Sequence, residues 1–299
     1  MIDIVTPSFD PLDGGIQALS KTIRDNEPAE SCANTLLMNW KYFYRAPRKN
    51  YTLYIHGLEL FPNKPLQKAC LRALIALAPP SKIIYVSQLT KNLVEERYNP
   101  LRNINSRIIH NPIPETYFDG HQHAVKDKLV LTVCRAVPRK NLKNAFTAFR
   151  NLKLGEKGWK YVYIGDGPLR ESLEKEFPEV EFWGRTSEKD KQELLKRASI
   201  FLHPQIRLGT DFEGFGLAPV EAIAEGAIPI IGEICGLAEL ITEKSFLTSG
   251  SVGCIERKLC DALANQQLLS KKAEKVATRL QVELNARERV EEIVRFVCE

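Results

Sequence analysis

Residues 211–226, DFEGFGLAPVEAIAEG, set two carboxylates, Glu213 and Glu221, around a glycine-bearing loop that runs into a short apolar helix. Gly214 and Gly216 flank Phe215, so the backbone there can turn tightly and keep its N–H groups clear of side chains. Pro219 suits the first turn of a helix, and Gly226 suits the position just past its end. A helix N-terminus behind bare amides is an anion site, and phosphate is its commonest occupant. The alternative is a plain loop before a core helix, with Glu221 as a favourable charge near the helix start. The flanking sequence has to decide.

Outward from this stretch, short apolar strands alternate with helical segments, the pattern of a mostly parallel α/β protein. Strands are predicted at 2–6, 35–38, 53–55, 83–86 and 107–110, with an apolar helix at 66–77 among them. Gly15 closes the glycine pair between the first strand and a helix carrying Ile16, Leu19 and Ile23. A second series follows, with strands at 129–133, 161–164, 180–182, 200–202 and 228–231 and helices at about 188–198 and 219–225. Everything beyond residue 251 reads as helical. The expected organisation is a Rossmann-like domain over 1–118, a polar linker at 119–127, a second Rossmann-like domain over 128–283, and a final helix at 284–299 packing back on the first domain. Such folds bind ligands at the carboxyl ends of their strands.

At 299 residues, 44% hydrophobic and 26% charged, the chain is large enough for two well-packed domains. No apolar run approaches the ~18 residues that span a bilayer, and the N-terminus lacks the layout of a signal peptide, so a cytoplasmic location is expected. Seven cysteines without a Cys-x-x-Cys pair read as free, mostly buried thiols. The net charge of +5 is too modest for a typical nucleic-acid binder.

Several strand ends carry chemistry. The strand at 129–133 runs into CRAVPRKN, where Arg135 and Lys140 can converge on one diphosphate, the first as a planar fork and the second as a point charge. A solvated basic turn is the competing reading. Gly165-Asp166-Gly167, Gly184-Arg185 and His203-Pro204 end further strands at the same predicted edge.

The order CRAVPRKN, IGDGPLRESLE, VEFWGR, ASIFLHPQ and EGFGLAPVEAIAEGAIPII resembles the second half of the retaining glycosyltransferases of family 4. Glu213 and Glu221, with seven residues between them, match that group's hallmark. SFDPLDGGIQALSKTI and SRIIHNPIP are similar to its first glycine-rich loop and to the segment closing its first domain. The resemblance implies a GT-B fold, in which two Rossmann-like domains face each other across a donor-binding cleft, with a helical C-terminus. It implies that Arg135 and Lys140 bind the donor diphosphate, that Glu221 takes the ribose hydroxyls and that Glu213 holds the donor sugar. The backbone at Phe215, Gly216 and Leu217 would contact sugar and phosphates, and Gly15 would let the first domain approach the pyrophosphate. Gly184 and Arg185 would border the nucleobase, and His56 would lie near the reacting sugar. Cys134 and Asn141 depart from the family, standing where glycines are usual.

The function so implied is retaining sugar transfer, without a metal or other cofactor, from a nucleoside-diphosphate donor, with a UDP-sugar expected. The acceptor is a hydroxyl of a glycan or lipid-linked glycan, in bacterial surface polysaccharide or lipopolysaccharide synthesis. A nucleotide-sugar epimerase or hydrolase of the same fold, and a non-catalytic nucleotide-sugar-binding partner, are the alternatives. Asp211 and Glu213 could also be read as a metal-binding pair of the other glycosyltransferase fold, but they stand too late in the chain for that. In the first domain, Lys41 and Arg45 lie among aromatics, and Lys64, Lys68 and Arg72 recur every four residues along the helix at 66–77. Leu66, Ala73, Leu74 and Leu77 are expected on its buried face. The stripe is either a solvated face or a peripheral contact with an anionic membrane.

Overall fold

A computed structural model describes residues 1–9, 15–29, 32–45, 50–62, 64–118 and 126–299. The loop at 10–14, most of the linker at 119–127, and Arg48 and Lys49 lie outside the described residues. The chain divides into two units, one made of 1–115 with 283–299 and the other of 116–282.

The first unit holds a five-stranded parallel sheet of β1 (Asp3–Val5), β2 (Thr35–Leu37), β3 (Tyr51–Ile55), β4 (Lys82–Tyr85) and β5 (Asn105–Ile108), in that order across the sheet. Its middle strands are buried along their length, as parallel strands covered on both faces must be. The helices are α1 (Gly15–Asp25), α2 (Pro65–Leu77), α3 (Gln88–Arg97) and, from the end of the chain, α10 (Ala286–Cys298). Helix α2 rests on the core through Leu71 and Ile75, whereas Leu66 is 76% and Leu77 86% exposed. That corrects the expectation that Leu66, Ala73 and Leu77 face inward, for Ala73 is exposed too. Helix α10 buries Val290, Ile293, Val294, Phe296 and Val297, and Arg107 and Lys82 stand over the Phe296 ring.

A disulfide joins Cys32 to Cys298, across 266 residues of sequence. The expectation of free thiols throughout is therefore wrong for this pair. It also fails in detail for Cys70 and Cys260, which are exposed, while Cys235 is buried.

The second unit carries β6 (Asp127–Val133), α4 (Leu142–Asn151), β7 (Lys160–Ile164), α5 (Arg170–Glu176), β8 (Val180–Gly184), α6 (Glu188–Arg197), β9 (Ala198–His203), α7 (Leu217–Ala224), β10 (Ile228–Gly232) and β11 (Leu247–Thr248), then α8 (Val252–Ala264) and α9 (Gln266–Glu283). The strand order is β11-β10-β9-β6-β7-β8, with every pair parallel. The order reverses between β6 and β9. Loops leaving those two strands part company there, which is where doubly wound sheets open a ligand crevice.

Candidate active site

The loop after β6 is shaped by the one after β7. Gly165 has φ +148, and a Cβ there would lie 1.9 Å from the Cys134 carbonyl oxygen; Gly167, at φ +147, crowds the Ala136 backbone in the same way. Ala136 N–H donates to the Asp166 carbonyl at 2.8 Å, and the Tyr163 hydroxyl donates to the Cys134 carbonyl at 2.8 Å. The glycine turn thus serves as the floor on which 134–141 lies. A short 3-10 turn, Pro138–Lys140, then ends at Asn141 in the left-handed conformation, φ +57. Asparagine tolerates that region, which explains how it can stand in place of a glycine. Its side-chain amide donates to the carbonyls of Pro204 at 3.0 Å and Gly250 at 2.7 Å. This pin turns Lys140 inward, to 8% exposure, and leaves Arg135 exposed.

Lys140 meets the end of β9. Its Nζ lies 3.0 Å from His203 Nε2, so that nitrogen accepts and the ring proton sits on Nδ1. Burial, with Lys140 next to it, keeps His203 neutral, its pKa well below the usual value. The same Nζ lies 2.5 Å from Glu213 Oε2. Arg139 joins the cluster, with Nε 3.0 Å from Asp211 Oδ1 and Nη2 3.5 Å from Glu213 Oε2. Its Nη1 is buried without a hydrogen-bond partner among the described residues. Burial alone would raise the Glu213 pKa, but Lys140 and Arg139 outweigh it and bring it down to about 2.

Glu213 is held by its backbone as well as its charges. It bridges Cys235 in parallel register, Gly236 N–H donates to its carbonyl at 3.3 Å, and Leu237 N–H donates to Phe215 at 3.0 Å. Phe212 and Phe215 anchor the loop in the core. Gly216 takes φ +102 ahead of α7, which begins at Leu217 rather than at Pro219 as the sequence suggests. Gly226, at φ +79, follows the helix, and Ala227 N–H closes it on the Ala222 carbonyl at 3.0 Å.

Glu221, on α7, stands apart from that cluster. Its Oε2 is 2.9 Å from Lys191 Nζ, on the first turn of α6. Tyr117 stands beside the same carboxylate, which adds to the burial that raises its pKa. Gly184, at φ +67, ends β8 against the Arg170 guanidinium, and Arg185 beyond it is exposed. Of the residues proposed from sequence, the structure brings Lys140 and Glu213 into direct contact and places Arg135, Gly216 and Leu217 on the same two loops. Arg139, His203, Lys191 and Tyr117 were not among the proposed site residues. Arg139 sits inside the CRAVPRKN motif and His203 ends a strand at the predicted edge; Lys191 and Tyr117 declare themselves only through space.

Gly15 and His56 belong to the first unit. Gly15 is the first residue of α1. His56 follows β3, its ring centroid 4.4 Å from that of Tyr54. Glu59 accepts hydrogen bonds from the backbone N–H groups of His56 and Gly57, fixing the turn. Burial lowers the His56 pKa to about 3, so the imidazole is neutral, and its Nε2 is buried without a hydrogen-bond partner among the described residues.

The model of the glycosyl transferases group 1 family matches residues 114–279, more than half of the chain. The O-antigen chain mannosyltransferase RfbU of Salmonella typhimurium (strain LT2) is 23% identical over 205 residues, covering 65% of this chain and 55% of RfbU. The chain thus spans about half the length of that relative. Among solved structures, S. aureus TarM in complex with fondaparinux, alpha-GlcNAc-glycerol and UDP superposes with a TM-score of 0.72 at 13% identity, over 94% of this chain and 59% of TarM. Anabaena HepE in complex with UDP gives 0.69 at 14% identity, over 93% and 81%. The architecture they share with this chain, two parallel-sheet α/β units and a helical C-terminus, is the GT-B fold.

Proposed function

The chain belongs to the group 1 glycosyltransferases, and from that premise we propose that it is a retaining, metal-independent member of family 4. It moves a sugar from a nucleoside-diphosphate donor, expected to be a UDP-sugar, to a hydroxyl of a glycan or lipid-linked glycan. The observation that carries this reading is the cluster at the reversal of the second sheet. Lys140, buried and aimed by His203 and Glu213, stands beside Arg139, with Arg135 on the same loop. A leaving diphosphate needs fixed positive charge in a site shielded from water, and these side chains supply it without a cation from solution. Glu213 is then the sugar-binding carboxylate and Glu221 the ribose-binding one. His56, neutral by burial, is a hydrogen-bonding group for the donor or acceptor sugar. Retention follows from attack on the face that the leaving group vacates. The acceptor oxygen forms its bond to the anomeric carbon as the bond to the phosphate oxygen breaks, and that oxygen takes the acceptor's proton.

Surface polysaccharide or lipopolysaccharide assembly is the setting, supported by the name of the O-antigen relative. Among the described residues no helix is long and apolar enough to cross a membrane. Peripheral contact is favoured instead by α2. There Lys64, Lys68 and Arg72 are exposed together with Leu66 and Leu77, and the exposed Tyr44 stands between Lys41 and Arg45 nearby in sequence. The exposed cationic stripe suits an anionic lipid surface, while Leu66 and Leu77 lie on another side of the helix. Reversing the charge of Lys64, Lys68 and Arg72 together is expected to weaken binding to vesicles containing anionic lipid by about a hundred-fold, at ~1 kcal/mol per residue. Unchanged sedimentation with those vesicles would remove the membrane from this proposal.

The function itself is tested with a panel of UDP- and GDP-sugars, assayed for slow hydrolysis and for transfer, with and without EDTA. Turnover of one donor that survives EDTA and gives a product of retained configuration is expected. Tight nucleotide binding without turnover across the panel would make the chain a binding partner. Release of an epimerised sugar would make it a different enzyme of the same fold, and loss of activity in EDTA would overturn metal independence.

A further inference from the structure

We infer that Lys191 is a positioning residue that holds the Glu221 carboxylate in the attitude needed to read a ribose, so that selection of ribonucleotide donors depends on it. The inference rests on the proposed role of Glu221. Lys191 reaches from the first turn of α6, whose start is fixed by Ser187 accepting the Asp190 N–H at 3.1 Å. Its Nζ lies 2.9 Å from Glu221 Oε2 and 2.9 Å from Glu188 Oε1. The Lys191 and Glu221 side chains are only 16% and 14% exposed. Tyr117, on the segment before β6, stands beside the same carboxylate, which adds to the burial that raises its pKa. Helix α7 cannot shift to spoil this arrangement, because Val220, Ala222, Ile223 and Ala224 around Glu221 are buried.

The chemistry follows from counting acceptor sites. An ionised carboxylate offers about four lone-pair positions. Lys191 takes up one side of the carboxylate and stops the flexible glutamate side chain from turning away. The positions left over suit the paired 2′- and 3′-hydroxyls of a ribose. Burial works against the charge on Lys191, but Glu221 and Glu188 more than offset it, so the ammonium stays protonated. A lysine that merely blocked the subsite would predict the opposite result on its removal.

The test is a titration of the full chain with UDP and with 2′-deoxy-UDP, and with the GDP pair in parallel, for wild type, Lys191→Met, Lys191→Gln, Lys191→Arg and Glu221→Gln. Wild type is expected to prefer the ribonucleotide by about tenfold or more, the worth of a hydrogen bond to a charged group. Lys191→Met is expected to lose about tenfold in affinity for UDP and about twofold or less for the deoxy form, so that the preference collapses; Lys191→Arg restores it. A purely structural role would weaken both nucleotides alike, and that result, or tighter UDP binding by Lys191→Met, overturns the inference. Should Lys191→Met not fold, Lys191→Gln, which keeps a polar end without the charge, must lower the preference by itself, and an unchanged ratio there overturns the inference equally. If Glu221→Gln leaves the preference intact, or wild type binds neither nucleotide, the ribose role of Glu221 has failed. If Glu221→Gln abolishes the preference and Lys191→Met does not, only the positioning role has failed.

Discussion

Lys140→Ala is expected to lower turnover of the donor sugar by about a hundred- to a thousand-fold, the effect of removing one preorganised donor to a developing oxyanion. Lys140 is buried, with its ammonium already fixed by Glu213 at 2.5 Å and His203 at 3.0 Å. A cation placed in advance needs no reorganisation as the diphosphate gains charge, and low exposure makes its field stronger than it would be in water. Arg135, exposed on the same loop, is screened by solvent, so Arg135→Ala should cost less, about tenfold. Removing Lys140 also strips a buried carboxylate of its nearest partner, which by itself costs ~3–5 kcal/mol when nothing else is near. Arg139, 3.5 Å from Glu213, moderates that loss. Thermal melting of the variant therefore accompanies the rate measurement, and Lys140→Arg, which restores the charge, should recover part of the turnover. Turnover of the folded Lys140→Ala variant within about threefold of wild type would remove the diphosphate role from this residue.

The reading of sequence succeeds where a residue's fate is decided by its immediate neighbours. Strands β9 and β10 are buried at every position, so their centres, 200–202 and 228–231, appear as short apolar runs of the kind a covered parallel sheet produces. Lys140 and Glu213 lie in contiguous motifs whose turn residues, Pro138, Gly214 and Gly216, can be read locally. Helices α3 and α5 are harder, because α5 buries only Leu173 and α3 buries Thr90 beside Leu93 and Val94, which blurs the apolar period. Helix α2 is apolar on more than one side, so its sequence leaves open which stripe turns inward; packing chose Leu71 and Ile75. Pairings made across the fold carry no local mark at all. Lys191 with Glu221, Lys140 with His203, and the disulfide between Cys32 and Cys298 each join segments that only the strand order or a returning helix brings together.

Removal of Glu213 should separate binding from turnover. Its carboxylate is shared between Lys140 and Arg139, so in the absence of donor it competes with phosphate for the two cations. Glu213→Ala is therefore expected to bind UDP as tightly as wild type or several-fold tighter, at ~1.4 kcal/mol per tenfold, while turnover falls about a hundred-fold because the donor sugar is no longer held. Glu213→Gln keeps the shape and removes the charge; it should bind UDP similarly and regain a part of the turnover, since an amide can still hydrogen-bond a hydroxyl. The pH dependence has a definite sign. With its pKa lowered from 4.5 to about 2 in the fold, Glu213 contributes stability that is present above the unfolded value and is lost as pH falls through about 2. It stays ionised across any ordinary assay range, so the acid limb of a rate profile between about pH 5 and 8 belongs to another group, and the limb should persist unchanged in Glu213→Gln. Isothermal titration with UDP, set beside the initial rate on the same donor, reads both arms. UDP affinity that falls in step with turnover would mean that Glu213 merely supports the loop, and unaffected turnover would take the sugar-binding role away from it.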